Sequence, residues 1–277
     1  MVTALERLAY LGERCSGALY YEPAMHSFGT DERDIDIIML GKEAVKEFEG
    51  GARPKLNVTK CANGQFSTRP DAIGEKLIIK LTSEKFSLKY SESLVEYAYM
   101  TMARNVGIEV PDFELLDAGN GRFWLQQTRF DCCPAQGRYH MISACGLLDA
   151  PFREPSLDYV DLAKVTRHLC GVQEARKLVK RALFNYLTVN QDDHTKNFAY
   201  LADDDDNWRL SPFYDVVYMP SPYGEHMTSF NGNGKVITSA ALEQLAGQVI
   251  AHELGIDKEM ATMIAQHMEQ KWLALRL

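Results

Sequence analysis

Asn190-Gln191-Asp192-Asp193-His194-Thr195-Lys196-Asn197, followed by Leu210-Ser211-Pro212-Phe213-Tyr214-Asp215, decides how this chain is read. Asp192 and Asn197 stand five positions apart, and Asp215 brings a second carboxylate downstream. The set suits movement of a phosphoryl group. A carboxylate at Asp192 accepts or orients the proton of an acceptor hydroxyl, while Asn197 and Asp215 offer the hard oxygens that Mg²⁺ requires. Asn and Asp also populate turns, where they bond local backbone. Asp193 alone reads more simply that way, whereas Asp192, Asn197 and Asp215 taken together read as a site.

Working outward, the segment directly follows a helical pattern over residues 173–189. Strands over 197–202 and 208–210 flank Asp203-Asp204-Asp205-Asp206, a run of like charges that reads as a solvated hairpin tip. Further helical patterns cover 157–170, 240–254 and 257–275. Upstream, strands are expected at 55–60 and 75–82. An amphipathic helix is expected over 91–106, with Leu94, Tyr97, Ala98, Met102 and Val106 sharing a face and Gly107 ending it. Strands 113–116 and 123–127 join through Gly119-Asn120-Gly121. A short helix over 35–48, a helix over 3–11 and a strand over 15–21 complete the reading. The fold class is therefore α+β: a mostly β N-terminal lobe carrying one helix, then a mainly α C-terminal lobe with the reactive loops. The segments are 1–22, 23–131 and 132–277, with the two larger ones read as walls of a cleft.

The β lobe adds candidates of its own. Gly50 and Gly51, followed by Ala52, Arg53, Pro54 and Lys55, let backbone N–H groups approach a phosphate; a plain turn is the simpler reading of a lone Gly-Gly. Lys80 ends the apolar run Leu77-Ile78-Ile79 and suits the α/β-phosphates, with Glu96 on the next helix as its partner; an exposed lysine and a surface glutamate are equally good readings of each alone. Thr128, Arg129 and Phe130 lie between the lobes, where backbone could pair with adenine, although Phe130 also reads as core. His194 suits a phosphate contact or a brace for its loop, and bracing is the simpler reading.

Composition narrows the field. The 277 residues are 46% hydrophobic and 25% charged, as in ordinary globular proteins. A net charge of −8 argues against a broad basic face for nucleic acid. Six cysteines without C-x-x-C spacing read as reduced thiols in a cytoplasm rather than zinc ligands. No run approaches the roughly 18 apolar residues of a membrane span.

With these residues in hand, the chain resembles HipA-like serine/threonine kinases. The resemblance rests on Gly50 to Lys55, Leu77 to Lys80, Glu96-Tyr97-Ala98 with Gly107-Ile108-Glu109-Val110-Pro111, Arg129-Phe130-Asp131, Asn190 to Asn197 and Ser211 to Asp215, in that order, over roughly residues 5–255. It implies a protein-kinase-like two-lobe fold that binds ATP with Mg²⁺. Asp192 would be the catalytic base, Asn197 and Asp215 the metal ligands, and Lys80 the phosphate lysine. Nucleotide contacts would come from Gly50, Gly51, Ala52, Arg53 and Lys55, from Thr128, Arg129 and Phe130, and from His194 and Tyr214. Implied partners are a protein bearing a Ser/Thr acceptor, such as an aminoacyl-tRNA synthetase, and an antitoxin.

Three departures stand out. Relatives often carry an autophosphorylated serine just before the glycine pair, where Phe48 here has no hydroxyl, so that form of self-inactivation is expected to be absent. Cys132 follows Asp131 where relatives usually have a basic residue. Residues 1–21 match only the end of the family's extra N-terminal β subdomain, which a separate small protein could supply or which is truncated or diverged here. Two rival readings stay open: a pseudokinase that binds nucleotide or a partner without turnover, and a phosphohydrolase with Asp192, Asp193, His194 and Asp215 around a metal pair.

Overall fold

The computed structural model describes residues 16–21, 34–35, 41, 55–69, 71–81, 92–133, 137–235 and 237. The chain divides into two compact units, residues 1–102 with 110–141 and residues 103–109 with 142–277. The expected helices over 3–11, 240–254 and 257–275, and nearly all of that over 35–48, lie outside the described residues, as do Gly50 to Arg53.

Unit 1 is built on a six-stranded antiparallel sheet in the order β1-β3-β2-β4-β6-β5. Its strands are β1 (Asp34–Ile35), β2 (Lys55–Lys60), β3 (Phe66–Ser67), β4 (Glu75–Lys80), β5 (Phe113–Gly119) and β6 (Arg122–Thr128). Side chains alternate across a strand, so the register Leu77↔Val58 and Ile79↔Leu56 puts one apolar row on one face. Val58, Leu77, Ile79, Leu81, Ala118 and Trp124 form the core there. The same alternation turns Lys76, Ile78 and Lys80 to the other face. β5 and β6 turn through Asn120 (φ 58°) and Gly121 (φ 71°), the pair of left-handed residues a two-residue hairpin favours.

Helix α1 (Glu92–Asn105) forms where the periodicity predicts it, but its buried face is different. Leu94, Tyr97, Ala98, Met102 and Val106 are exposed, while Ser93, Glu96, Met100 and Ala103 are buried. The cause is Glu96. Burying its carboxylate against a lysine fixes which side of the helix faces the sheet, and the small or flexible Ser93, Met100 and Ala103 lie on that side. Gly107 (φ 74°) ends the helix: its N–H donates to Arg104 O at 3.0 Å and that of Ile108 to Ala103 O at 2.9 Å, a Schellman closure.

The strand expected over 15–21 is not formed in its described part. Residues 16–18 turn instead, at Gly17 (φ 73°), whose N–H donates to Asp131 Oδ2 at 2.7 Å. A Cβ at Gly17 would stand 2.9 Å from Met141, so both the close approach and the left-handed backbone call for glycine. Past β6 come the short pair β7 (Cys132–Cys133) and β8 (Gly137–Arg138), then β9 (His140–Ser143), whose last two residues belong to unit 2.

Unit 2 is mainly helical, with α2 (Ala144–Leu147), α3 (Tyr159–Cys170) and α4 (Val172–Thr188). The pattern placed the start of α3 two residues early. Leu157 and Asp158 form β10, paired in parallel with β13 (Thr228–Ser229), and Asp158 caps the helix by accepting Val160 N–H at 2.8 Å. β11 (Ala199–Ala202) and β12 (Trp208–Leu210) join β9 in the order β12-β11-β9. Tyr159, Leu162, Ala163, Leu178, Ala182 and Phe198 lie at the centre of the core. The acidic run is the expected hairpin tip: Asp204 to Asp206 are exposed, and Asp203 Oδ1 accepts the N–H groups of Asp205 (3.0 Å) and Asn207 (2.9 Å). Among the described residues, no helix is long and apolar enough to cross a membrane.

Candidate active site

In unit 1, Lys80 and Glu96 are both buried, at 7% and 4% exposure, and Lys80 Nζ pairs with Glu96 Oε1. Gln127 Nε2 donates to the same Oε1 at 3.1 Å. Removing two charges from water costs several kcal/mol per ion unless the geometry compensates, so an interior pair of this kind is a built feature rather than two surface side chains that happen to touch. The reading of Lys80 and Glu96 as surface residues is thereby excluded. Lys55, exposed, is the register partner of Lys80.

The segment after β6 is more structural than the sequence indicates. The Thr128 N–H donates to Asp112 O and the Arg129 N–H to Lys76 O, each at 2.8 Å. The Thr128 N–H is therefore already engaged within the unit. Arg129 grips Asp131 through Nε–Oδ1 (3.1 Å) and Nη2–Oδ2 (2.6 Å). Burial pushes the Asp131 carboxyl up, but the guanidinium and the Gly17 N–H outweigh it and hold the group below the usual carboxylate range. Beside them is a cavity of about 90 Å³ whose lining includes Asn57, Thr59, Lys76, Arg129, Cys132 and Arg138.

In unit 2, α4 ends at Val189 in the left-handed conformation (φ 57°), and the reactive loop begins at once. Asp192 is exposed while Gln191, Asp193, Thr195 and Asn197 are buried. A 3₁₀ turn over Thr195–Asn197 brings Asn197 back on Asp192: Nδ2 donates to the Asp192 carbonyl at 2.8 Å. The amide nitrogen is thus spent within the loop, and Oδ1 is the atom left to act as a hard ligand. His194 packs edge-on to Phe152 at 6.1 Å, which is the bracing expected. Its Nδ1 is nonetheless buried without a partner among the described residues. Lys196 Nζ stands 3.4 Å above the same Phe152 ring, a cation–π contact.

Tyr214 closes the loop from the other side, its hydroxyl donating to Lys196 O at 2.6 Å. Burial first, then the charge of Asp215, pushes that phenol well up, so it stays protonated. Asp215 itself has φ 58°. A non-glycine residue there stores about 1–3 kcal/mol and persists only when its surroundings over-determine it, a pattern concentrated at functional sites.

Two residues that place this segment escaped sequence reasoning. Arg181, fully buried on α4, donates from Nη2 to Ser211 O at 2.6 Å and lies over the Phe213 ring at 5.5 Å. Burial brings its pKa down to about 10, so it remains charged at neutral pH. A lone arginine in a helical pattern carries no signal of this. The other is Asp193, expected to bond local backbone. Its Oδ2 instead meets Tyr159 Oη (2.7 Å) and His226 Nδ1 (2.9 Å), and Oδ1 accepts Met227 N–H (2.8 Å). That geometry removes Asp193 from any metal pair, and among the described residues no three His, Cys, Asp or Glu side chains gather to hold an ion.

Among the described residues, a curled antiparallel sheet that carries α1, followed by a helical unit bearing an exposed aspartate, a looped-back asparagine and a strained second aspartate, is a kinase-like fold. The profile of the HipA-like C-terminal domain matches residues 49–274, and the chain belongs to that family. Two Sinorhizobium fredii proteins named as inferred kinases are similar to it: Y4dM at 25% identity over 88% of this chain, and Y4mE at 28% over 79%. The chain spans 63% and 53% of their lengths. Among solved structures, HipA of the Shewanella oneidensis MR-1 toxin–antitoxin system, in complex with HipB and operator DNA, matches with a TM-score of 0.70 over 95% of this chain and 69% of that one, at 17% identity.

Proposed function

We propose that the chain is a protein kinase that transfers the γ-phosphoryl of Mg²⁺-bound ATP to a serine or threonine hydroxyl of a bacterial protein, a component of the translation machinery being the leading class. The observation that carries the reading is the buried Lys80–Glu96 pair, because a strand lysine fixed by a helix carboxylate is the arrangement that engages α/β-phosphates. In unit 2, Asp192 orients the acceptor hydroxyl and takes its proton. Asn197 Oδ1 and the Asp215 carboxylate would hold Mg²⁺, which would neutralise the charge that develops on the transferred phosphoryl group. His194 contacts phosphate, and Thr128 and Phe130 meet the base. Gly50 to Lys55 cradle phosphate, and an antitoxin restrains the enzyme, by analogy with the relative crystallised with HipB.

The experiment is incubation of the purified chain with γ-labelled ATP and a bacterial lysate. Labelled protein is expected with the wild type, and at least a 100-fold loss with Asp192→Asn at unchanged melting temperature, because only the group acting on the reacting hydroxyl is lost. Undiminished transfer by that variant would remove Asp192 from the reaction. A pseudokinase would bind Mg²⁺ and ATP and label nothing.

A further inference from the structure

Asp193 lies beside the proposed base yet is 1% exposed, and its hydrogen-bond partners lie more than thirty residues away along the chain. Besides Tyr159, His226 and Met227, the Thr228 N–H donates to Oδ1 at 3.3 Å, and Thr228 Oγ1 to the Asp193 carbonyl at 2.5 Å. A buried carboxylate that takes this many donors does not drift, because each lost bond would leave a desolvated charge. The contacts continue on both sides. Tyr159 Oη accepts Asn185 Nδ2 at 2.9 Å, and Asn185 Oδ1 accepts Asn190 Nδ2 at 2.8 Å, so the end of α4 joins the same network. Gln191 donates its N–H to Met219 O at 3.1 Å and accepts the Ser221 N–H on Oε1 at 2.7 Å.

Asp192 thus stands between two anchored neighbours, with its own carbonyl held by Asn197. Of Gln191, Asp192 and Asp193, only Asp192 is exposed. We infer that Asp193 is a positioning residue: with Tyr159 and His226 it fixes where the Asp192 carboxylate is presented, and ties that presentation to residues 226–228. The phenol of Tyr159, pushed far up by burial and then by the charge of Asp193, stays a donor throughout the working pH range. The catalytic consequence rests on the phosphotransfer reading above; the mechanical one does not.

The test compares two Tyr→Phe variants in the full chain. Tyr159→Phe removes one donor to Asp193 and keeps the ring that stacks on Phe230 at 4.6 Å. Tyr200→Phe removes an equally buried hydroxyl, 2.9 Å from Thr166 Oγ1 and outside the network. Tyr159→Phe is expected to speed amide exchange across residues 190–197 about tenfold and to lower kcat about tenfold, with KM for ATP within twofold. Tyr200→Phe is expected to lower the melting temperature comparably and to change neither readout. If both variants alter exchange over 190–197 equally, or neither does, Asp193 is a core residue only and the inference is overturned. The exchange arm needs no turnover, so a wild type that transfers no phosphoryl group would defeat the functional reading and leave the positioning role to be decided by exchange.

Discussion

At the scale of single residues, burial decides what each charge is for. Asp131 and Arg129 are 4% and 8% exposed, and their pairing holds the Asp131 carboxyl below its ordinary value of 3.8. A carboxylate depressed in the folded state contributes stability above its unfolded pKa, and that contribution is lost as pH falls through the folded value. Asp131→Asn leaves a buried guanidinium without its partner and is expected to cost about 3 kcal/mol at pH 7. Urea midpoints of the two proteins should converge as pH falls below the ordinary carboxylate value of 3.8 and on through the lowered value of the folded Asp131. A gap that stays constant down to pH 2 would show that the loss has another origin. The contrast with Asp192 is one of exposure. Contacts of an exposed carboxylate are screened by water and worth little, which is why Asp192→Asn is expected to cost activity and leave the melting temperature unchanged.

At the scale of elements, the end of α1 and the end of α4 are set by backbone more than by side chains. Gly107 occupies a left-handed position with nothing within 4 Å of where a Cβ would stand, so Gly107→Ala tests conformational strain alone. It is expected to lower unfolding free energy by about 1 kcal/mol with the urea m-value unchanged. A neutral result would show that the left-handed position carries no strain for a residue with a Cβ. Val189 performs the corresponding turn with a β-branched residue at φ 57°, and Val189, Gln191 and Asp193 are hydrogen-bonded to the 219–228 segment. The strain at Val189 is therefore offset by hydrogen bonds that form only because the chain reverses there.

At the scale of the whole molecule, the proposed chemistry predicts linkage between ligand and stability. A ligand that binds only the folded state stabilises it by about 2.7 kcal/mol at 100 times its dissociation constant. ATP with Mg²⁺ is expected to raise the melting temperature by several degrees, and EDTA to abolish most of the rise. Asp215→Asn should bind ATP with little dependence on Mg²⁺. If that variant keeps the full Mg²⁺-dependent shift, Asp215 is not a metal ligand. The complex with operator DNA is a property of the Shewanella protein and is not by itself a reason to expect DNA contacts from this chain.

The sequence by itself determined the main strands β2, β4, β5, β6, β11 and β12, the helices α1, α3 and α4, the α+β class, and the candidates at Asp192, Asn197, Asp215, Lys80 and Glu96. Those follow from local rules: alternation in β4, helical period in α3 and α4, and the spacing of oxygen donors along one loop. Tertiary structure alone decided which face of α1 is buried, because the pairing of Glu96 with Lys80 overrides a row of apolar side chains that periodicity favours. It also decided that Asp193 bonds to residues 159 and 226–228 instead of its own turn, and that Arg181 holds Ser211. The partners of Asp193 and Arg181 lie about thirty residues away along the chain, beyond the reach of any local pattern.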